Sequence, residues 1–306
     1  MLTYHMAMNQ IESALKHIHD ESGLHYIEPS LKAEFDVLQK AHDAIHEFMY
    51  LAPLCFPTDD KHEVGWENKS AFLLYHWEVF NHAHRSSFEA LCTQYNVAFI
   101  LLRTTLELLL KGAFWECLSH GRFRNSSPIL DNSSEGKQIK HRLRIVFEAS
   151  PSVENELEQV SAGIFDKLGH MIEKRSFRPP VKTIVQQLDH WGIFTPINNA
   201  AGVVYDKLYS ELSADIHVGP DRTDIGRRIT SERPELFEQH VLPASLRDYA
   251  TTLHAIMDVA IVIELNILQD TTQRFESVRL KLSERLNVME QLELKYSPMR
   301  VRELLK

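Results

Sequence analysis

The sequence predicts an all-α protein, a helical bundle of about nine to ten helices. Three observations predict it. Apolar residues recur at close to 3.6 residues almost throughout the 306-residue chain, the spacing of one helix face. Glycine (11) and proline (12) together fall well below the ~12% that is usual, and so few breakers over this length favour helices. No segment keeps the strict apolar–polar alternation of a half-buried strand. With 44% hydrophobic and 25% charged residues, the chain can bury a real core, and collagen, low-complexity disorder and a disulfide scaffold are excluded.

Met8, Ile11, Leu15 and Ile18 form the stripe of a first helix, stopped near Gly23. Leu31, Phe35, Leu38, Ile45 and Met49 form a second, stopped by Pro53. Residues 52–69 read as a loop. A third helix spans about 70–93, with Leu73, Trp77, Phe80, Phe88 and Leu91 facing inward. A fourth spans about 96–118, and 120–136 is a Ser-, Asn- and Gly-rich loop. Shorter helices follow at about 137–149, 152–173, 181–191 and 197–216, then a loop over 218–234. Pro243 opens a long apolar helix, since proline suits a first turn. The last helix, about 272–296, repeats Phe275, Leu282, Met289 and Tyr296 every seven residues, flanked by Val278, Leu286 and Leu292. This stripe is either a core seam or a dimer seam. The organisation expected is an acidic helical extension (1–69), a helical core domain (70–270) and a C-terminal amphipathic helix (271–306).

The net charge is −9, with five Lys against twelve Asp and Glu in residues 1–70. An acidic chain is no general nucleic-acid binder. Local basic stretches (Lys137 to Arg144, Lys174 to Lys182, Arg222 to Arg233) are either solvated helix ends or a face for RNA. Residues 97–115 are apolar but carry Arg103, Glu107 and Lys111, and 256–268 is short and carries Asp258 and Glu264. Both windows are expected to be buried helices rather than membrane spans. Cys55, Cys92 and Cys117 form neither a zinc pattern nor a disulfide framework. They read as core cysteines of a cytoplasmic protein, and residues 1–10 lack the pattern of a secretory leader.

Two constellations stand out. Arg103, Glu107 and Lys111 lie four apart in a helix apolar nearly all round. Such charges must pair or reach water, so they form either an internal ion pair or the wall of a polar cleft. Arg103 and Glu107 are expected to be mostly buried and bonded to each other or to the helix of the second constellation. That second set, Tyr209, Ser213 and His217, is again four apart. His217 falls in a last turn, where the helix dipole favours its protonated form. It reads either as a helix cap or as part of a pocket with Arg103 and Glu107. His42 and His46 are the one histidine pair four apart. Among 17 histidines about one such pair arises by chance, so no metal and no other cofactor is expected.

The Arg103-x-x-x-Glu107 stripe, followed a hundred residues on by Tyr209-x-x-Leu212-Ser213-x-x-x-His217, resembles HEPN-like helical proteins. It is similar in particular to related microbial families that include abortive-infection proteins. The resemblance covers about 70–270. It implies a dimeric, metal-independent ribonuclease whose signature is Arg, four to six residues, then His. Two pairs have that spacing, Arg233 with His240 and Arg247 with His254; Asp248 after Arg247 matches the family habit better. Arg247 and His254 are therefore the candidate catalytic pair. The implied chemistry is attack of an RNA 2′-OH on the neighbouring phosphate, with His as general acid or base and Arg on the charged phosphorane. From the residues alone, His254 reads instead as a partner of Asp258, one turn on.

Phosphate-binding glycine loops and nucleophile elbows are missing. The functional expectation is a non-catalytic binding or interaction module with a polar pocket inside the bundle. The alternative is a HEPN-type endoribonuclease in a defence or toxin setting. A homodimer and RNA are the partners considered; no membrane is expected.

Overall fold

The computed structural model describes residues 32–55, 71–92, 94–119, 125–134, 136–138, 140–141, 179–216, 243–267 and 276–306, with residues 123 and 269. Nine α-helices, one π-helix and no strand occur among them, so the fold is all-α as expected. The α-helices are α1 (Lys32–Cys55), α2 (Ala71–Leu91), α3 (Tyr95–Ser119), α4 (Pro128–Asp131) and α5 (Val181–His190). The π-helix (Ala201–Tyr209) continues directly into α6 (Ser210–Ile216), followed by α7 (Pro243–Ile267), α8 (Glu276–Gln291) and α9 (Ser297–Leu304). The helices expected over 8–18 and 152–173, and the loop over 218–234, lie outside the described residues, as does most of 137–149.

Helices α2 and α3, joined by three residues, pack along each other as a hairpin. A Cβ placed on Gly112 of α3 would stand 2.6 Å from Cβ of Tyr75 on α2, so the crossing depends on glycine. Glu116 of α3 accepts the Phe72 N–H at 3.0 Å, supplying an acceptor to the buried first turn of α2, whose amides have no partner within the helix. Helix α7 packs against α1, α2, α3 and α9, and residues 256–266 are buried without exception. By length and composition α7 could cross a membrane, but 72% of its apolar window is buried inside the fold.

Several expectations are corrected. Helix α1 runs past Pro53 to Cys55. Trp77 and Phe88 are half-exposed. The inner face of α2 is Phe72, His76, Val79, Ala83, Ser86 and Ala90, a stripe of the same period whose small and polar members hid it. Ser86 and Ser87 both bond the buried Tyr249 hydroxyl, at 2.6 and 3.2 Å. The single C-terminal helix over 271–306 is two helices. The chain turns at Glu293, whose φ is +59°, and the Asp258 carboxylate holds the start of α9. It accepts the backbone N–H groups of Lys295, Tyr296 and Ser297, each at 2.9 Å.

Of the heptad stripe, Val278, Leu282, Met289 and Leu292 are buried within the chain, as a core seam requires; Phe275 lies outside the described residues. One hydrophobic core draws on residues from both sides of the expected boundaries after 69 and 270. An ion pair ties those flanks together: Arg285 of α8 grips the fully buried Glu47 of α1 with both nitrogens of one guanidinium edge.

Candidate functional site

The π-helix closes its hydrogen bonds one residue wider than an α-helix, a winding that often marks functional segments. It stacks Tyr205 on Tyr209, with centroids 5.5 Å apart. It also aims the Tyr209 hydroxyl at the charged stripe of α3.

There Arg103 Nη2 donates to the Tyr209 hydroxyl at 2.9 Å, and the hydroxyl donates onward to Glu107 Oε1 at 3.1 Å. Arg103 Nε stands 3.1 Å from the same carboxylate oxygen. Lys111 donates to the other carboxylate oxygen at 3.2 Å, and the Arg103 guanidinium lies over the Tyr209 ring, 5.1 Å from its centroid. The phenol both accepts and donates, and two cations share one carboxylate. Arg103 and Glu107 are mostly buried, with side chains 19% and 24% exposed, and both bond to Tyr209. Ser213 does not join them; its hydroxyl bonds back to the Tyr209 carbonyl at 2.7 Å. His217 lies outside the described residues.

Glu107, Lys111 and Tyr209 line a cleft of about 680 Å³ with Tyr75, Trp115, Pro180, Lys182 and Tyr205. Aromatic rings and two lysines dominate it. Lys182 lies over the Tyr205 ring at 5.8 Å.

Arg247 and His254 line a second, larger cleft of about 850 Å³, with Lys207, Thr251, Lys295 and Tyr296 among its walls. Each has another partner. Arg247 is ion-paired with Glu34 of α1. His254 Nε2 lies 2.8 Å from the Leu292 carbonyl oxygen. A carbonyl only accepts, so this contact puts the proton on Nε2. The expected pairing of His254 with Asp258 does not form, because the Asp258 oxygens are taken by residues 295–297. The other pair of matching spacing, Arg233 and His240, lies outside the described residues.

The sequence reading set His42 and His46 aside as a chance pair and found neither their third member nor a second, deeper histidine grouping. His84 of α2 joins His42 and His46 of α1, and the three rings converge with centroids 4.7 to 5.1 Å apart. Burial holds His46 and His84 below the ordinary histidine pKa, and the neighbouring imidazoles push in the same direction; Asp43 opposes this at His46. Deeper in, His76 and Glu264 are both fully buried, with Nδ1 and Oε1 3.6 Å apart and no hydrogen bond on either side chain. Burial holds His76 down to about 4. Burial, with the Glu47 charge added, pushes Glu264 far above the carboxylate range. Both are therefore neutral near pH 7. The pair His42/His46 could be read from spacing, but its convergence with His84 depends on how α1 meets α2, and that of His76 with Glu264 on how α2 meets α7.

Compared with known protein families, with curated proteins and with solved structures, the chain gives no match.

Proposed function

We propose that this protein is a non-catalytic helical binding module whose ligand sits in the aromatic cleft beside Arg103, Tyr209 and Glu107. The observation that carries this reading is the closure of the polar groups there. Arginine, phenol, carboxylate and lysine are bonded to one another, an arrangement that shapes a wall rather than presenting a poised base or nucleophile. The cleft falls in the size range of small-molecule sites. Its rings offer faces for stacking, and Lys182 is an exposed cation beside them. The ligand class that fits is a small anion carrying a ring.

The test is a titration of the protein with nucleoside monophosphates and aromatic carboxylates, followed by NMR. Saturable shifts centred on Tyr205, Tyr209 and Lys182, lost in Tyr205→Ala, are expected. The reading fails if no compound saturates below millimolar concentration, or if Tyr205→Ala binds as well as the parent.

A second reading, the metal-independent HEPN-type ribonuclease, is favoured by one observation: Arg247 and His254 open onto one cleft together with Lys207 and Lys295. It requires Arg247 to leave Glu34 for a phosphate. RNA cleavage in excess EDTA, lost in both Arg247→Ala and His254→Ala, would establish it. Intact RNA would remove it.

A further inference from the structure

We propose that His42, His46 and His84 form a binding site for one zinc-class divalent metal ion, with one coordination position open to solvent. The proposal stands independently of the function argued above.

The case begins with the ring nitrogens. Each histidine offers one, and the three lie within 4.8 Å of one another. Ligand nitrogens about 2.1 Å from a tetrahedral zinc stand about 3.4 Å apart, so the rings must close by no more than about 1.4 Å. The second side-chain torsion of histidine has a broad minimum, and turning it supplies such a movement without shifting either helix. His42 and His46 are one helical turn apart on α1, so two ligands are already aligned on one face. His84 comes from α2, and α1 and α2 pack directly against each other.

A second observation comes from His84 itself. Its Nε2 is buried and has no hydrogen-bond partner. A buried imidazole nitrogen normally finds one, and leaving it without costs about 1–3 kcal/mol. Packing alone would be served by phenylalanine, and Phe80 already packs against His84 with the rings tilted and centroids 4.4 Å apart. A metal ion gives that nitrogen its partner.

The chemistry of the ligand set narrows the ion. Three neutral imidazoles with no thiolate suit zinc, copper or nickel, and are poor hosts for magnesium or calcium. Three protein ligands with the rings only half-buried leave a fourth position for water or an exchangeable anion, the pattern of an open rather than a closed zinc site. Behind His42, the Asp43 carboxylate lies 3.7 Å from Nδ1. A small turn of the ring would bring that nitrogen within hydrogen-bond reach of the carboxylate, the kind of outer partner that orients a ligating histidine.

The experiment uses the full-length chain without a histidine tag. Zinc chloride is titrated by calorimetry, and cobalt(II) replaces it for absorption spectra. One zinc per chain and the intense visible bands of tetrahedral cobalt are expected. His84→Phe, which keeps the ring packing on Phe80, should weaken zinc binding at least about 100-fold; His42→Asn should do the same. His82→Phe, on the same helix but outside the cluster, should bind as the parent does. Asp43→Asn should weaken binding about tenfold. Helical content by circular dichroism identifies any variant that fails to fold, and the other ligand variant then decides. The proposal is overturned if the parent takes up no zinc at 100-fold molar excess. It is equally overturned if a folded His84→Phe or His42→Asn binds as tightly as the parent.

Discussion

Two clusters of ionisable groups are built into this bundle, and they are solved in opposite ways. At α3 and the π-helix, Arg103, Glu107 and Lys111 bond to one another and to the Tyr209 hydroxyl at the edge of a cleft. Between α1, α2 and α7, His76 and Glu264 are sealed from water, make no hydrogen bond and give up their charges. The difference follows from desolvation. A partly exposed charge keeps most of its hydration and needs only modest pairing. A fully buried one must be strongly paired or neutralised. Glu47 shows the other solution at full burial: Arg285 pairs with both its oxygens. Its charge in turn helps to keep Glu264 protonated.

The largest expected effect tests the sealed pair. Glu264 holds a proton in the fold that the unfolded chain releases above its ordinary pKa, so stability falls as pH rises. His76 acts in the opposite sense: below its ordinary pKa of 6.5 the unfolded chain takes up a proton that the fold refuses. The two slopes cancel between roughly pH 4.5 and 6.5. Above that window only Glu264 remains, and stability should fall by about 1.4 kcal/mol per pH unit. Urea titrations of the parent and Glu264→Gln between pH 6 and 8.5 check this; a parallel slope in the two proteins breaks the comparison. In the same titrations at pH 8, Glu264→Leu should be more stable than the parent by about 2 kcal/mol, since an apolar group replaces an unpaired buried one.

Next in size is Glu107→Ala. It leaves Arg103 and Lys111 without their shared anion, but partial exposure lets water replace some of what is lost. About 2 kcal/mol is expected at an unchanged denaturant slope, below the 3–5 of a fully buried pair. A loss above 4 kcal/mol would make the two clusters alike. The smallest effect is Tyr209→Phe. It removes the bridging hydroxyl and leaves the direct Arg103–Glu107 contact, so about 1 kcal/mol should be lost. A double-mutant cycle of Tyr209→Phe with Glu107→Ala should show that the two losses are not additive.

The partly exposed cluster was the legible one. Three of its members are four apart on one helix, and a helix apolar on every other side isolates them. Tyr209 came from an equally local pattern, although its winding did not: the π-helix has no composition of its own. The sealed pair was invisible for the opposite reason. His76 and Glu264 are 188 residues apart, and only the packing of α2 against α7 brings them together. The same holds for Glu34, which occupies Arg247 from 213 residues away. The break between α8 and α9 was missed because no glycine precedes it; Glu293 takes the left-handed conformation instead. The fold class needed none of these contacts, since helical period is written locally in every element.

The π-helix carries one consequence for how this chain tolerates change in length. A stretch wound wider than α stores phase, in the sense that one residue fewer lets it rewind as α. Deleting a single residue from 201–209 would then be taken up by that rewinding, whereas the same deletion inside an α-helix turns everything after it by about 100° relative to what precedes it. Tyr209 and α6 would keep close to their facing on α3. The π-helix is slack in the winding, and the loss of one residue at this place is absorbed before it reaches the wall of the cleft.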